Sequence, residues 1–96
     1  MVIWSEPAKA DLRSIHDFIA KDSPFYAKKV VQDIREKADV LNDLPLLGKK
    51  VSELNDDTVR ELSQYSYRII YENKPDQAEV LAIVHKRSNF KAEDLP

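Results

Sequence analysis

The sequence predicts an α+β fold in two layers, an antiparallel helix hairpin packed on one face of a mostly antiparallel sheet, in the order β-α-α-β-β-β. Three observations predict it. Apolar residues recur at a helical period from Ala8 to Leu44. Beyond Gly48 the period changes to two, in runs rich in branched and aromatic residues. Each helical segment opens on a serine followed closely by a proline, Ser5 with Pro7 and Ser23 with Pro24.

Met1-Val2-Ile3-Trp4 is bulky and partly β-branched, and reads as a short first strand. Ser5 caps a helix spanning about Glu6 to Lys21. Its apolar face is Ala8, Leu12, Ile15, Phe18 and Ile19, and its wet face includes Lys9, Asp11, Arg13 and Asp17. A second helix follows Ser23 with the stripe Ala27, Val31, Ile34, Ala38 and Leu41, flanked by Val30 and Leu44. It ends near Asp43, because Pro45 disfavours helical angles in the residue before it. Leu46-Leu47-Gly48 is a turn. Val51 to Leu54 is a candidate short strand, and Thr58 to Ser63 a stronger one. Tyr67 to Glu72 follows, then a turn at Asn73 to Asp76. Glu79 to His85 is apolar on both alternating faces, which predicts an interior strand. Residues 88–96 form a polar tail, loosely held or ending in a short helix.

The chain has 96 residues, enough for one domain. It carries no cysteine, so thiolate metal sites and structural disulfides are excluded. No apolar run approaches a membrane span, and MVIW is too short for a signal peptide; the cytoplasm is the expected location. Formal net charge is −2, shared evenly between the two halves of the chain, so the whole surface is not built to coat a polyanion. A single glycine excludes a glycine-rich phosphate cradle. The carboxylates show no metal-ligand spacing, and no serine sits in a nucleophile elbow; neither a metal nor a cofactor is expected.

The feature that stands apart is AIVHKRSNF, Ala82 to Phe90, where the strongest strand turns into a cationic run. Between His85 and Lys91 the chain has three full positive charges and no acid. Alternation along the strands allows Arg60, Arg68, His85 and Arg87 to gather at one end of the sheet, on the face the helices leave free. Such a cluster recognises phosphate or carboxylate. Lys86 extends it, and Phe90 offers a stacking ring or a hydrophobic anchor. The plainer alternatives are also common. Strand arginines usually form ion pairs, here Arg60 with its neighbour Glu61 and Arg68 across strands with Glu72 or Glu79, and a lone histidine at a strand end is more often half-buried packing. Tyr65, Tyr67 and Tyr71 read mainly as strand formers.

An ordered set of segments resembles the RelE/ParE superfamily of type II toxin–antitoxin toxins. The segments are W-S-E-P-A-K-A-D-L, I-H-D-F-I-A, A-K-K-V-V-Q-D-I, L-P-L-L-G-K-K-V-S-E-L, V-R-E-L, Y-R-I-I-Y and V-L-A-I-V-H-K-R-S-N-F. The resemblance implies the fold already read from periodicity, and a cognate antitoxin as partner. It implies one of two targets. A RelE-like member cleaves messenger RNA on the ribosome, with Arg60, Arg68 and Arg87 stabilising phosphate, His85 as general acid or base, and Phe90 stacking on a base. A ParE-like member poisons DNA gyrase by binding alone, and the same residues with Lys86 then form a contact surface. The acidic net charge and the segments around Tyr67 and His85 favour the ParE-like branch. An inactivated binding module of the same fold is the third reading.

Overall fold

The computed structural model describes residues 1–96. Strand β1 spans Val2–Trp4, helix α1 Glu6–Ala20 and helix α2 Pro24–Asp39, followed by a 3₁₀ turn at Val40–Asn42. Strands β2 (Lys49–Lys50), β3 (Val59–Gln64), β4 (Tyr67–Asn73) and β5 (Ala78–His85) come next, and a 3₁₀ turn at Ala92–Asp94 closes the chain. The sheet order is β1-β5-β4-β3-β2; β1 runs parallel to β5 and every other pair is antiparallel. No helix is long and apolar enough to cross a membrane.

Both helix starts follow the serine signal. The Ser5 hydroxyl accepts the Ala8 amide at 3.1 Å, and the Ser23 hydroxyl accepts the Tyr26 amide at 3.1 Å. Such caps contribute about 1 kcal/mol each. Ala8 and Leu12 of α1 and Val30, Ile34 and Ala38 of α2 pack on Leu62, Ile69, Tyr71, Val80 and Ile83 of the sheet. The α2 stripe is rotated slightly from the sequence reading: Val30 is buried and Val31 only partly. Phe18, expected on the apolar face of α1, is 70% exposed. Regular α-helix stops at Asp39, and the 3₁₀ turn tightens the approach to Pro45.

β5 is paired on both sides, as its two-faced apolarity predicts. It also carries a bulge that periodicity did not reveal. Ile70 pairs with Ala82 but Tyr71 with Val80, so Leu81 is an extra residue. The bulge flips the strand's parity: Leu81 and Ala82 both pack on the face away from the helices, while Val80 and Ile83 pack toward them. The start of α1 serves the backbone there. The Ser5 hydroxyl donates to the Leu81 carbonyl at 3.1 Å, and the Asp11 carboxylate accepts the Ile83 amide at 3.0 Å. Partial burial raises the Asp11 carboxyl above its ordinary range, against the amide bond that lowers it.

Two expectations are corrected. Val51 to Leu54 is not a strand; the short edge strand is Lys49–Lys50, paired with Arg60 and Glu61. Nor is the face opposite the helices free. Val51, Val59, Ile70, Leu81, Ala82 and Phe90 form a second apolar cluster there, with Leu54, Val84 and Leu95 against it. The loop after β2 and the C-terminal tail supply its cover. Two anchoring apolar residues in a polar tail, Phe90 and Leu95, are enough to seat it.

Candidate functional site

Along β4, Tyr67 pairs with His85 of β5, and Tyr71 pairs with Arg60 of β3. At roughly 3.3 Å per residue, His85 and Arg60 are therefore separated by on the order of 13 Å along the sheet. Arg60 shares the helix-side parity of Leu62. Its Nη1 donates to the Gly48 carbonyl at 2.9 Å, and its Nε is buried without a partner. Arg68 lies on the opposite face, among the second cluster. Arg60, Arg68, His85 and Arg87 do not converge at one end: the β3–β4 register pairs Arg60 with Tyr71 and Arg68 with Ser63, which sets the two arginines on opposite faces, and Arg60 lies four pairs along β4 from His85.

Arg68 is an internal strut, and its acids are not the expected Glu72 or Glu79 but Glu53 and Glu61; Glu79 is taken by Lys74. Its Nη1 and Nη2 each donate to Glu53 at 2.7 Å, and its Nε and Nη2 donate to Glu61 at 3.1 and 2.6 Å. The Phe90 ring lies 5.4 Å from the guanidinium carbon. The Arg68 guanidinium holds the Glu53 carboxyl down at about 2, and both carboxylates raise the arginine further above its ordinary value. Glu61 is a buried acid, and Phe90 is buried rather than presented for stacking.

His85, Lys86 and Arg87 are brought together, and they are exposed. The Lys86 amide donates to the Ser66 carbonyl at 2.8 Å, tying the end of β5 to the β3–β4 turn. The Arg87 amide donates to His85 Nδ1 at 3.1 Å, so the neutral imidazole carries its proton on Nε2. The Tyr67 ring meets the imidazole edge-on at 5.5 Å. Neither Lys86 nor Arg87 pairs with a carboxylate. The site is an exposed tip of two cations, Lys86 and Arg87, beside a histidine oriented by its own chain.

A second feature escaped sequence reasoning. The outer edge of β1 and the adjoining sides of α1 and α2 frame a groove of about 790 Å³. Val2, Trp4, Leu12 and Val31 give it an apolar floor, and its rim carries three cations, Lys9, Arg13 and Arg35, beside one acid, Asp39; Lys9 also bridges to Glu6 at 3.0 Å. Lys9 and Arg13 are four residues apart on α1, a spacing that puts both on one helix side. The contribution of Arg35 required knowing how α2 packs. No group of three or more histidines and acids is placed to hold a metal ion.

A family model described as "ParE toxin of type II toxin-antitoxin system, parDE" matches residues 2–90. The chain belongs to this ParE toxin family. Among solved structures, this ParE-family chain is similar to a chromosomal ParDE toxin–antitoxin system from P. aeruginosa. The identity is 26%, the TM-score 0.72, and the match covers 88% of this chain and 92% of that one. It shares its fold with a chain of the toxin–antitoxin complex RelBE2 from Mycobacterium tuberculosis, at 20% identity and TM-score 0.63, covering 88% and 95% of the respective chains. No curated protein matches the chain. The ParE family match agrees with the order of segments read from the sequence, and both neighbours agree with its two-layer fold.

Proposed function

We propose that this ParE-family toxin acts by binding DNA gyrase through the tip at His85, Lys86 and Arg87, and breaks no bond itself. The observation that carries this reading is the separation of the cations. Cleavage of RNA by a 2′-hydroxyl needs a proton acceptor and positive charge on one phosphate. Here Arg60 is at the far end of the sheet, and Arg68 is saturated by Glu53 and Glu61 on the other face. What remains beside His85 is an exposed pair of cations suited to an acidic protein surface. The net charge of −2 also disfavours a ribosomal RNA surface as the docking site.

Two neighbours come from toxin–antitoxin assemblies, and by that likeness a cognate antitoxin is this chain's partner. The groove beside β1 suits an antitoxin segment that folds on contact, with apolar anchors over Trp4 and Leu12 and acids opposite Lys9, Arg13 and Arg35.

The test is direct. Purified toxin added to gyrase and plasmid DNA is expected to block supercoiling, and cognate antitoxin to restore it. Unaffected gyrase together with cleavage of ribosome-bound messenger would replace this reading with the RelE-like one. Normal growth on expression without antitoxin would instead indicate an inactive module.

A further inference from the structure

The turn between β3 and β4 is only two residues, Tyr65 and Ser66. Tyr65 has φ of 55°, the left-handed region in which a side chain's Cβ crowds its own backbone. Hairpins of this length normally place Gly, Asn or Asp there. A tyrosine holds such a conformation only when its surroundings impose it.

The surroundings are visible. The Tyr65 hydroxyl donates to the Asp33 carboxylate on α2, and the Tyr26 ring, also on α2, meets the Tyr65 ring edge-on at 6.4 Å. The Tyr65 hydroxyl lowers the Asp33 carboxyl, assisted by Lys29, and Asp33 pushes the Tyr65 phenol up to about 12. The proton thus stays on the phenol and the charge on the carboxylate throughout the neutral range. The next residue in the turn, Ser66, accepts the Lys86 amide at 2.8 Å, and Tyr67 packs on His85. A continuous chain of contacts therefore runs from α2 through a strained turn to the cationic tip.

We propose that Tyr65 is a positioning residue: by gripping Asp33 it pins the β3–β4 turn to α2 and, through the Ser66–Lys86 bond, fixes where the tip at His85, Lys86 and Arg87 stands. The inference rests on the reading of that tip as the target-contact surface. The two-residue turn demands the left-handed backbone of whichever residue stands at 65, so a tyrosine kept only for packing would carry a strain that Gly, Asn or Asp avoids. Its loss would change activity only as far as it changed stability.

Hydrogen exchange and gyrase inhibition by the full chain separate the two. Tyr65→Gly relieves the backbone while removing the grip, and Tyr65→Phe keeps the ring but lacks the donor. Asp33→Asn retains an acceptor oxygen. In Tyr65→Gly and Tyr65→Phe the Lys86 amide is expected to exchange about tenfold faster, with Ile69 and Ile83 unchanged. Potency against gyrase should fall by about tenfold at a melting temperature close to that of the parent. Asp33→Asn should stay near parental behaviour. Unchanged Lys86 exchange in both Tyr65 variants overturns the inference whatever the toxin's target. A potency loss that merely tracks melting temperature overturns it as well. A parent protein inert toward gyrase would sink the gyrase reading, and Lys86 exchange would still decide the grip.

Discussion

Arg68 and Arg87 begin from the same chemistry and end in opposite situations. Arg68 donates from all three nitrogens of its guanidinium to Glu53 and Glu61 and lies against Phe90. Arg87 stands one residue beyond Lys86 at the end of β5, exposed and without an acid. The difference is made by residues remote in sequence. Glu61 is seven positions from Arg68 and reaches it diagonally across the β3–β4 pairing, on the same sheet face, and Glu53 is fifteen positions away, on the loop that covers the sheet. A cation's role is therefore set by which acids the topology brings to it. In this fold the sheet face opposite the helices is already covered, and the cations that stay exposed on β5 are those at its end.

The comparison breaks most sharply at Arg68. Arg68→Ala leaves Glu61 buried with no cation, and the loss should be about 3–5 kcal/mol, the size seen when one partner of a buried pair is removed. At roughly 4–8 °C per kcal/mol for a domain of this size, urea or thermal melting will detect it easily. Arg68→Leu combined with Glu61→Leu should recover most of the loss, since an apolar pair can replace a buried ion pair at little cost. A single variant as stable as the parent would mean that Arg68 is as free as Arg87.

Acid provides a gentler separation. Glu53 is depressed by its bonds to Arg68, from an ordinary value of 4.5 to about 2. A carboxyl with a lowered folded-state value binds fewer protons in the folded chain than in the unfolded one. Its stabilisation is therefore fully present above about pH 4.5 and is lost as pH falls toward 2. Glu53 is partly solvated, so the loss should be no more than about 1 kcal/mol. Asp11 works in the opposite sense. Its raised carboxyl costs stability as pH climbs through its folded value, so some of the acid loss is masked. Comparing the pH dependence of melting for the parent and Glu53→Gln isolates the Glu53 part; identical curves between pH 2 and 4.5 would refute it.

The elements were legible in the sequence because their signals are local. Ser5 and Ser23 announce the helices, and the alternation from Tyr67 to Glu72 and the greasy run from Glu79 announce two strands. The cationic tip was legible too, since His85 to Arg87 are neighbours in the chain. The proposed convergence with Arg60 and Arg68 was not, because it depended on parity carried across strands. The β3–β4 register pairs Arg60 with Tyr71 and Arg68 with Ser63, which puts the two arginines on opposite faces, and no composition rule marks that register. Of the two readings open for Phe90, a stacking ring or a hydrophobic anchor, the structure takes the anchor; the choice was not legible because the apolar patch it lands on is assembled from β3, β4 and β5. The left-handed Tyr65 ran against the turn's usual chemistry, which is why the sequence read it as an ordinary strand residue.

The smallest expected stability effect is also the one that sharpens the contrast furthest. Lys86 and Arg87 hold the fold through backbone amides, to Ser66 and to the His85 ring, and those bonds survive truncation of the side chains. Lys86→Ala with Arg87→Ala should therefore alter unfolding free energy by no more than about 0.5 kcal/mol, the range of exposed substitutions that touch no cap, core or buried pair. If the tip is the proposed target-contact surface, growth arrest by the same double variant should be largely lost, because its cations are gone while the scaffold presenting them is intact. Elevated salt should weaken the parent toxin's action in the same direction, since exposed charges are screened within about 8–10 Å at physiological ionic strength. Full toxicity of the double variant at parental stability would move the contact surface away from the tip. A substantial loss of stability would mean that the side chains at this end of β5 are as structural as Arg68.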